Sequence, residues 1–299
     1  MKGMLKRLDG KTEDLVLDSI NYILLFILFL VTLYPFLNTL AVSLNDSMDA
    51  MRGEIYLWPR EFTLDNYKII LREKNIYQAT AISVLRTVIG TALGVLSCFM
   101  AAYGISRRDF VLGRFFTNAF ILAMYVNGGL IPTYFLMRAL HLTNNFLVYI
   151  FPLMVTGFYI MVIKSYIRGI PSSLIESASI DGASEYRILF NIMMPLCIPV
   201  LATVALYTAV RQWNSWFDVF LYCSSKSSLS TLQFELQKVL QSSQRMRTNI
   251  DYSIGANGGG YMVTPYSIRA TMTIVATAPI LMVYPCLQKY FIEGLTLGG

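Results

Sequence analysis

Apolar residues along this chain do not alternate, and they do not recur at short amphipathic spacing. They collect in long runs separated by polar segments. Six runs stand out, at about 20–44, 77–105, 115–137, 146–167, 195–222 and 267–291. Runs of about 20 residues or more cross a hydrocarbon core roughly 30 Å thick when helical. The expected fold class is therefore an all-α integral membrane protein with six transmembrane helices. The first run follows an acidic stretch containing Glu13, Asp14 and Asp18, and no small-x-small cleavage site comes after it. It reads as a retained span rather than a cleaved signal peptide.

Composition agrees with the pattern. The chain is 55% hydrophobic and 14% charged, with a mean hydropathy of +0.53, whereas soluble domains carry about a quarter charged residues. The net charge of +6 does not point to nucleic acid. Lys and Arg lie mostly in the connecting segments, with no basic stripe interleaved with aromatics. Cys98, Cys197, Cys223 and Cys286 are far apart and form no CxxC pair, so they read as packing residues. His141, the single histidine, sits in a link and supports neither a metal site nor a catalytic triad. The Gly-rich stretch 255–260 lacks the Lys-Ser/Thr of a phosphate-binding loop and reads as linker.

Orientation follows from the short loops. The turn after the second run holds Arg107, Arg108 and Arg114, while the link 138–145 after the third holds one basic residue. Six spans put that turn, the segment 168–194 and both termini on one side, and Lys2, Lys6, Arg7 and Lys11 add to its positive charge. That side is expected to be cytoplasmic.

The segment 168–194 carries the most information. Pro171, Ser172 and Ser173 read as a helix start, with Ser173 and Glu176 spaced as a capping box. Leu174, Ala178 and Asp181 fall along one side at helical spacing, with Ser177 and Ile180 adjacent. Gly182 is suited to ending or bending the helix. A second short helix is expected to resume at Ala183 and run into the span headed by Pro195. Small side chains let another surface approach closely, so a docking knob is one reading. A connector lying on the bilayer surface is the other.

Glu176-Ser177-Ala178, Gly182, Ile192 and Pro195 resemble the EAA–G–I-x-L-P signature of ABC importer permeases. Ser177 stands where that signature has Ala, and Met194 where it has Leu. Tyr34-Pro35-Phe36, Leu57-Trp58-Pro59 with Asn66-Tyr67, and the run from Asn127 through Gly128-Gly129 to Tyr134 are similar to the carbohydrate branch of that family. So are Trp213-Asn214-Ser215-Trp216-Phe217-Asp218 and Tyr284-Pro285 with Gln288 to Phe291. The resemblance covers nearly the whole chain and implies a type I ABC importer permease fold. It divides the chain into a cytoplasmic N-terminal segment 1–19, a six-helix permease domain 20–292 with a cytoplasmic coupling loop 168–194, and a tail 293–299.

The resemblance also implies that Glu176, Ser177, Ala178, Asp181, Gly182 and Arg187 couple the chain to a cytoplasmic ATPase dimer. The other implied partners are a second permease subunit, an extracytoplasmic solute-binding protein and the lipid bilayer of a bacterial inner membrane. The chain has no ATP-binding motif, so if it pumps, a separate subunit must supply the energy. The resemblance implies a transport subunit rather than an enzyme, with no cofactor of its own and with ATP and Mg in the partner ATPase subunits.

A sugar pathway needs aromatic faces for stacking and polar groups for hydroxyls. Trp213, Asn214, Trp216 and Asp218 offer both within the fifth run, where polar residues are costly and mark function. Trp213, Trp216 and Phe217, at i, i+3 and i+4, are expected to share one helix face; an interfacial aromatic belt is the competing reading. Tyr125 and Asn127 precede a Gly128-Gly129 break that, with Pro132, is expected to unwind or kink the third helix. Arg86, Arg211 and Arg269 are expected to snorkel to an interface or to pair with a carboxylate such as Asp218. A secondary transporter would need coupling carboxylates at mid-membrane, and the runs nearly lack them. A membrane enzyme would need clustered acids, a His/metal set or a Ser/Lys pair, and none stands out.

Overall fold

The computed structural model describes residues 2–126, 128–248 and 264–296, and among these the chain is helical with no strand. Its elements are α1 (Lys2–Ser43), α2 (Ser47–Met51), α3 (Asp65–Arg72), α4 (Lys74–Ser106), α5 (Gly113–Tyr125) and α6 (Leu130–Ala139). Two 3-10 turns (Phe146–Tyr149 and Phe151–Leu153) precede α7 (Gly157–Arg168). Then come α8 (Ser173–Ile180), α9 (Glu185–Arg187), a π-helical turn (Ile188–Met193), α10 (Met194–Leu196), α11 (Ile198–Asn214), α12 (Phe217–Tyr222), α13 (Leu232–Thr248) and α14 (Pro265–Thr296).

Two stretches, Leu17–Ser43 and Lys74–Ser106, are each long and apolar enough to cross a membrane unbroken. Three others reach that length only as pairs interrupted by a short break. The third expected span parts between Tyr125 and Leu130, with Gly129 at φ +83°, at the expected Gly128-Gly129 site. The fourth is not one helix from 146 to 167. It starts as two 3-10 turns, the second with Pro152 in its first positions, and bends by 47° into α7. The fifth, expected at 195–222, bends by 80° between Glu185–Leu196 and Ile198–Asn214 and breaks again at Ser215-Trp216. The sixth expected run lies within α14.

The chain divides into two compact units, Met1–Arg72 with Val239–Val275, and Glu73–Lys238 with Ala276–Gly299. In the first, Ala41, Val42, Ala50, Ile55 and Ala270 form a small core. Buried Asn66 closes the end of α1. Its Nδ2 donates to the carbonyls of Ser43 (3.0 Å) and Asn45 (2.8 Å), and its Oδ1 accepts from Ser47 Oγ at 2.7 Å. Those contacts satisfy groups that a helix terminus leaves unpaired.

The second unit is built on α4, α7 and α11, which pack on one another. Their shared core includes Cys98, Phe99, Ala102, Ile160, Ile163, Cys197 and Val204, together with Ile188, Leu189 and Met193 of the π turn. Ala178 of α8 belongs to the same cluster, so the polar segment after α7 is seated directly on the helical core.

Candidate functional site

Helix α8 starts without the expected capping box. Ser172, not Ser173, is the N-cap, with αR angles and no side-chain cap bond. A tight turn takes its place, in which Leu174 N–H donates to Pro171 O and Ile175 N–H to Ser172 O. A side chain already in αR geometry does not present its oxygen to the first free N–H groups as an extended N-cap does.

The far end obeys the glycine. Gly182 adopts φ +77°, its N–H donates to Ser179 O (3.1 Å), and Ala183 N–H donates to Ala178 O (3.0 Å). That bond pair is a Schellman motif. Its apolar contact is present too, since Ala178 is buried and Ala183 packs against the same core. The chain then restarts at Glu185 rather than Ala183, with Ser184 Oγ accepting from Arg187 N–H.

Packing sorts the residues of α8. Ala178 and Ile175 face the core, while Glu176, Ser177, Asp181, Gly182 and Arg187 are exposed. Leu174, Ile180 and Tyr186 are exposed as well, Ile180 at 85%. Water is a poor environment for three such apolar groups on one short segment.

A second fastening was not visible in the sequence. The Glu185 carboxylate accepts Tyr103 O–H at 2.7 Å and Arg107 Nη2–H at 2.9 Å. Arg107 also holds Asp109, with Nε 3.2 Å from Oδ1. A bond from its own backbone N–H, and after it the Arg107 guanidinium, hold the Asp109 carboxyl below the usual carboxylate range. Glu185 thus ties the start of α9 to the last turn of α4.

The other polar centre lies between α4, α11 and α12. Arg86 is fully buried. Its Nη2 donates to Asp218 Oδ2 at 2.5 Å and its Nη1 to Asp218 Oδ1 at 3.3 Å, a bidentate pair. Nε and Nη2 donate to Gln212 Oε1 (3.2 and 3.1 Å), and Nη1 to the Ser215 carbonyl (3.3 Å). All of the guanidinium donors are thereby used. The guanidinium also lies 4.4 Å from the Tyr149 ring centroid, a cation–π distance. Ser215 is where α11 ends, so Arg86 takes up a carbonyl released by the helix break. Of the alternatives for Arg86, pairing with Asp218 is the one observed.

The break also separates the aromatic set. Trp213, Trp216 and Phe217 do not share one helix face, because α11 stops at Asn214 and Trp216 precedes α12. Trp213 is 6% exposed and its Nε1–H donates to Ala276 O at 3.0 Å. Trp216 is half-buried and meets Phe217 edge to face. Asn214 is exposed and its Oδ1 accepts from Gln233. Tyr125 is 82% exposed. Asn127 and the stretch 255–260 lie outside the described residues.

Comparison with known proteins fits this architecture. Residues 90–296 match the family described as "Binding-protein-dependent transport system inner membrane component". The chain is 31% identical over 287 residues to the polygalacturonan/rhamnogalacturonan transport system permease protein of Bacillus subtilis, covering 96% of this chain and 99% of that protein. It is 29% identical to the arabinooligosaccharides transport system permease protein of Halalkalibacterium halodurans, over 92% of each. A crystal structure of a bacterial ABC transporter involved in import of the acidic polysaccharide alginate contains a chain of the same fold. The TM-score is 0.82 at 24% identity, covering 93% of this chain and 98% of that one. The chain belongs to the family of binding-protein-dependent transport system inner membrane components.

Proposed function

We propose that this chain is one of two membrane-spanning subunits of an ATP-driven importer, and that its substrate is an oligosaccharide. The observation that carries the reading is α8: a short helix seated on the core through Ala178, closed by Gly182 in a Schellman motif, with Leu174, Ser177, Ile180 and Asp181 exposed. In this reading α8 is the coupling helix, docking in a cleft of a cytoplasmic ATPase dimer that supplies ATP and Mg. Closure of the ATPase pair moves α8 and shifts the balance between inward- and outward-facing states, which requires differential affinity for the two. A solute-binding protein delivers the sugar from outside. In this reading the segment 168–194 and both termini lie in the cytoplasm, as the bias of basic residues toward that side supports.

The substrate class rests on the similar proteins, whose names specify polygalacturonan/rhamnogalacturonan and arabinooligosaccharides. Among the pathway candidates, Asn214, Trp216 and Tyr125 keep accessible surface. Trp213 and Asp218 serve internal contacts in this conformation, and they line a pathway only if the α11–α12 break rearranges.

The test is purification from native membranes with identification of what accompanies the chain. A cytoplasmic ATPase and a second permease, both lost with Gly182→Pro while the protein still inserts, are expected. Purification alone, with transport in liposomes that lack ATP, would overturn the assignment.

A further inference from the structure

A cleft of about 420 Å³ opens beside α8, at the adjoining ends of α4 and α7. Arg107, Arg108 and Asp109 form one wall, Arg168 a second, and Ser172 with Glu176 a third. Arg107 and Asp109 are paired with each other, and Arg107 also holds Glu185. Arg108 and Arg168 form no ion pair with a carboxylate among the described residues. Two guanidinium groups and the Glu176 carboxylate therefore remain around the space, a net positive lining. Ser172 makes no side-chain cap bond, so its hydroxyl is a further donor there. Ile170 and Ile175 give the lining an apolar share.

Position narrows the ligand. Arg107 and Arg108 follow directly on the second apolar run, and Arg168 follows directly on the fourth. Both runs end where a helix leaves hydrocarbon for headgroups. A space of that volume, with planar cations and apolar flanks, fits a phosphate attached to acyl chains, since guanidinium groups bond phosphate oxygens in pairs. At 100° per residue, Ser172, Ile175 and Glu176 share one side of α8, whereas Leu174, Ser177 and Asp181 lie on the opposite side. The cleft thus lies on the side of α8 away from Leu174, Ser177 and Asp181, and exposed Ile180, about 40° round the helix from Glu176, borders it.

We propose that this cleft binds the phosphate of an anionic phospholipid headgroup, held by Arg108 and Arg168. The proposal rests on the importer reading only for placing both helix ends at one membrane face. Anionic lipid is the abundant source of such a group at the cytoplasmic leaflet.

The test uses the full chain, with whatever subunits accompany it, in nanodiscs of phosphatidylcholine containing phosphatidylglycerol. Native mass spectrometry counts the phosphatidylglycerol retained. The Arg108→Gln/Arg168→Gln variant should lose affinity for that lipid roughly thirtyfold, the weight of two basic contacts to an anionic surface. Arg108→Lys/Arg168→Lys should keep most of it, which separates lost charge from misfolding. Equal retention by wild type and the Gln variant would overturn the proposal. So would displacement of the lipid by millimolar inorganic phosphate, which would assign the cleft to a free anion. Loss of a co-purifying ATPase with lipid retention unchanged would assign it to a protein interface instead. The lipid count needs no transport, so a chain that retains phosphatidylglycerol but brings no ATPase fails the importer reading and not this one.

Discussion

Arg86 and Asp218, 132 positions apart, meet in a bidentate ion pair at the point where α11 gives way to α12. The arginine is fully buried and the aspartate side chain 18% exposed. Removing one member of such a pair leaves an uncompensated charge. Arg86→Met should therefore destabilise the protein by about 3–5 kcal/mol, and Arg86→Met/Asp218→Leu should recover much of that loss. Thermal unfolding of the four proteins of this cycle in detergent is the measurement. A double variant that loses the sum of the two single losses would show that the groups do not act as a pair.

Gly90 supports the same centre from below. A Cβ there would lie 2.4 Å from Gln212 Nε2 and 2.9 Å from its Cδ. Gln212 cannot simply swing away, because Oε1 accepts twice from Arg86 and Nε2 donates to Tyr149 O at 3.0 Å. Gly90→Ala should cost about 1–3 kcal/mol by overpacking. With Gln212→Ala already present, adding Gly90→Ala should cost little further, and the cycle should be strongly non-additive. Additive losses would place the strain elsewhere.

Several features were legible in the sequence for stated reasons. Gly182 is read correctly as a helix stop because only a residue free of Cβ adopts φ near +77° without strain. The break at Gly128-Gly129 follows from the same chemistry. The interruptions between Leu153 and Gly157 and at Ser215-Trp216 are hidden inside apolar runs, because hydropathy records side-chain apolarity and not backbone direction. The error over Trp213, Trp216 and Phe217 follows from that, since a shared face presumes an unbroken helix. Glu185 was missed because its partners, Tyr103 and Arg107, are 82 and 78 positions away, and a single exposed glutamate in a loop carries no local pattern.

Asp49 gives the first unit a pH dependence. Asn45 Nδ2 donates to its Oδ2 at 2.9 Å and Arg60 Nε at 3.0 Å. The Asn45 bond is the main cause that holds this carboxyl below the usual 3.8; burial opposes it, and Arg60 adds to the lowering. A carboxylate depressed on folding stabilises the folded state above its unfolded pKa, and that contribution is lost as pH falls through the lower folded value. Acid titration should therefore find Arg60→Gln less stable than wild type near neutral pH, with the gap closing below pH 3.8. A gap that stays constant across the acid range would assign the Arg60 effect to its backbone contacts with Asp49 O and Gly53 O.

Substitutions at Gly182 should rank by backbone conformation rather than size. A Cβ there meets nothing within 4 Å, so Gly182→Ala carries no clash and should cost about 1–2 kcal/mol from the left-handed conformation alone. Gly182→Asn should cost less, because Asn tolerates that region. Gly182→Pro also removes the N–H that reaches Ser179 O and should be the most damaging. Uptake and thermal stability measured across the three variants check the order, and Asn falling below Ala would contradict it.

Glu185 separates a role in stability from a role in transmission. Its side chain is 57% exposed and that of Arg107 is 21% exposed, so the clasp is an interfacial contact of the kind worth about 0–1 kcal/mol. Glu185→Ala should leave unfolding almost unchanged. The same contact is nevertheless the polar link from the α8–α9 segment to the end of α4, through Tyr103 O–H and Arg107 Nη2–H. If motion of α8 reaches the spans through it, Glu185→Ala should lower substrate uptake per ATP hydrolysed several-fold in the reconstituted complex. Tyr103→Phe, which removes one of the two bonds, should fall between the variant and wild type. Unchanged uptake per ATP in both variants would reduce the clasp to a surface contact and leave transmission to the packed core around Ala178, Ile188 and Met193.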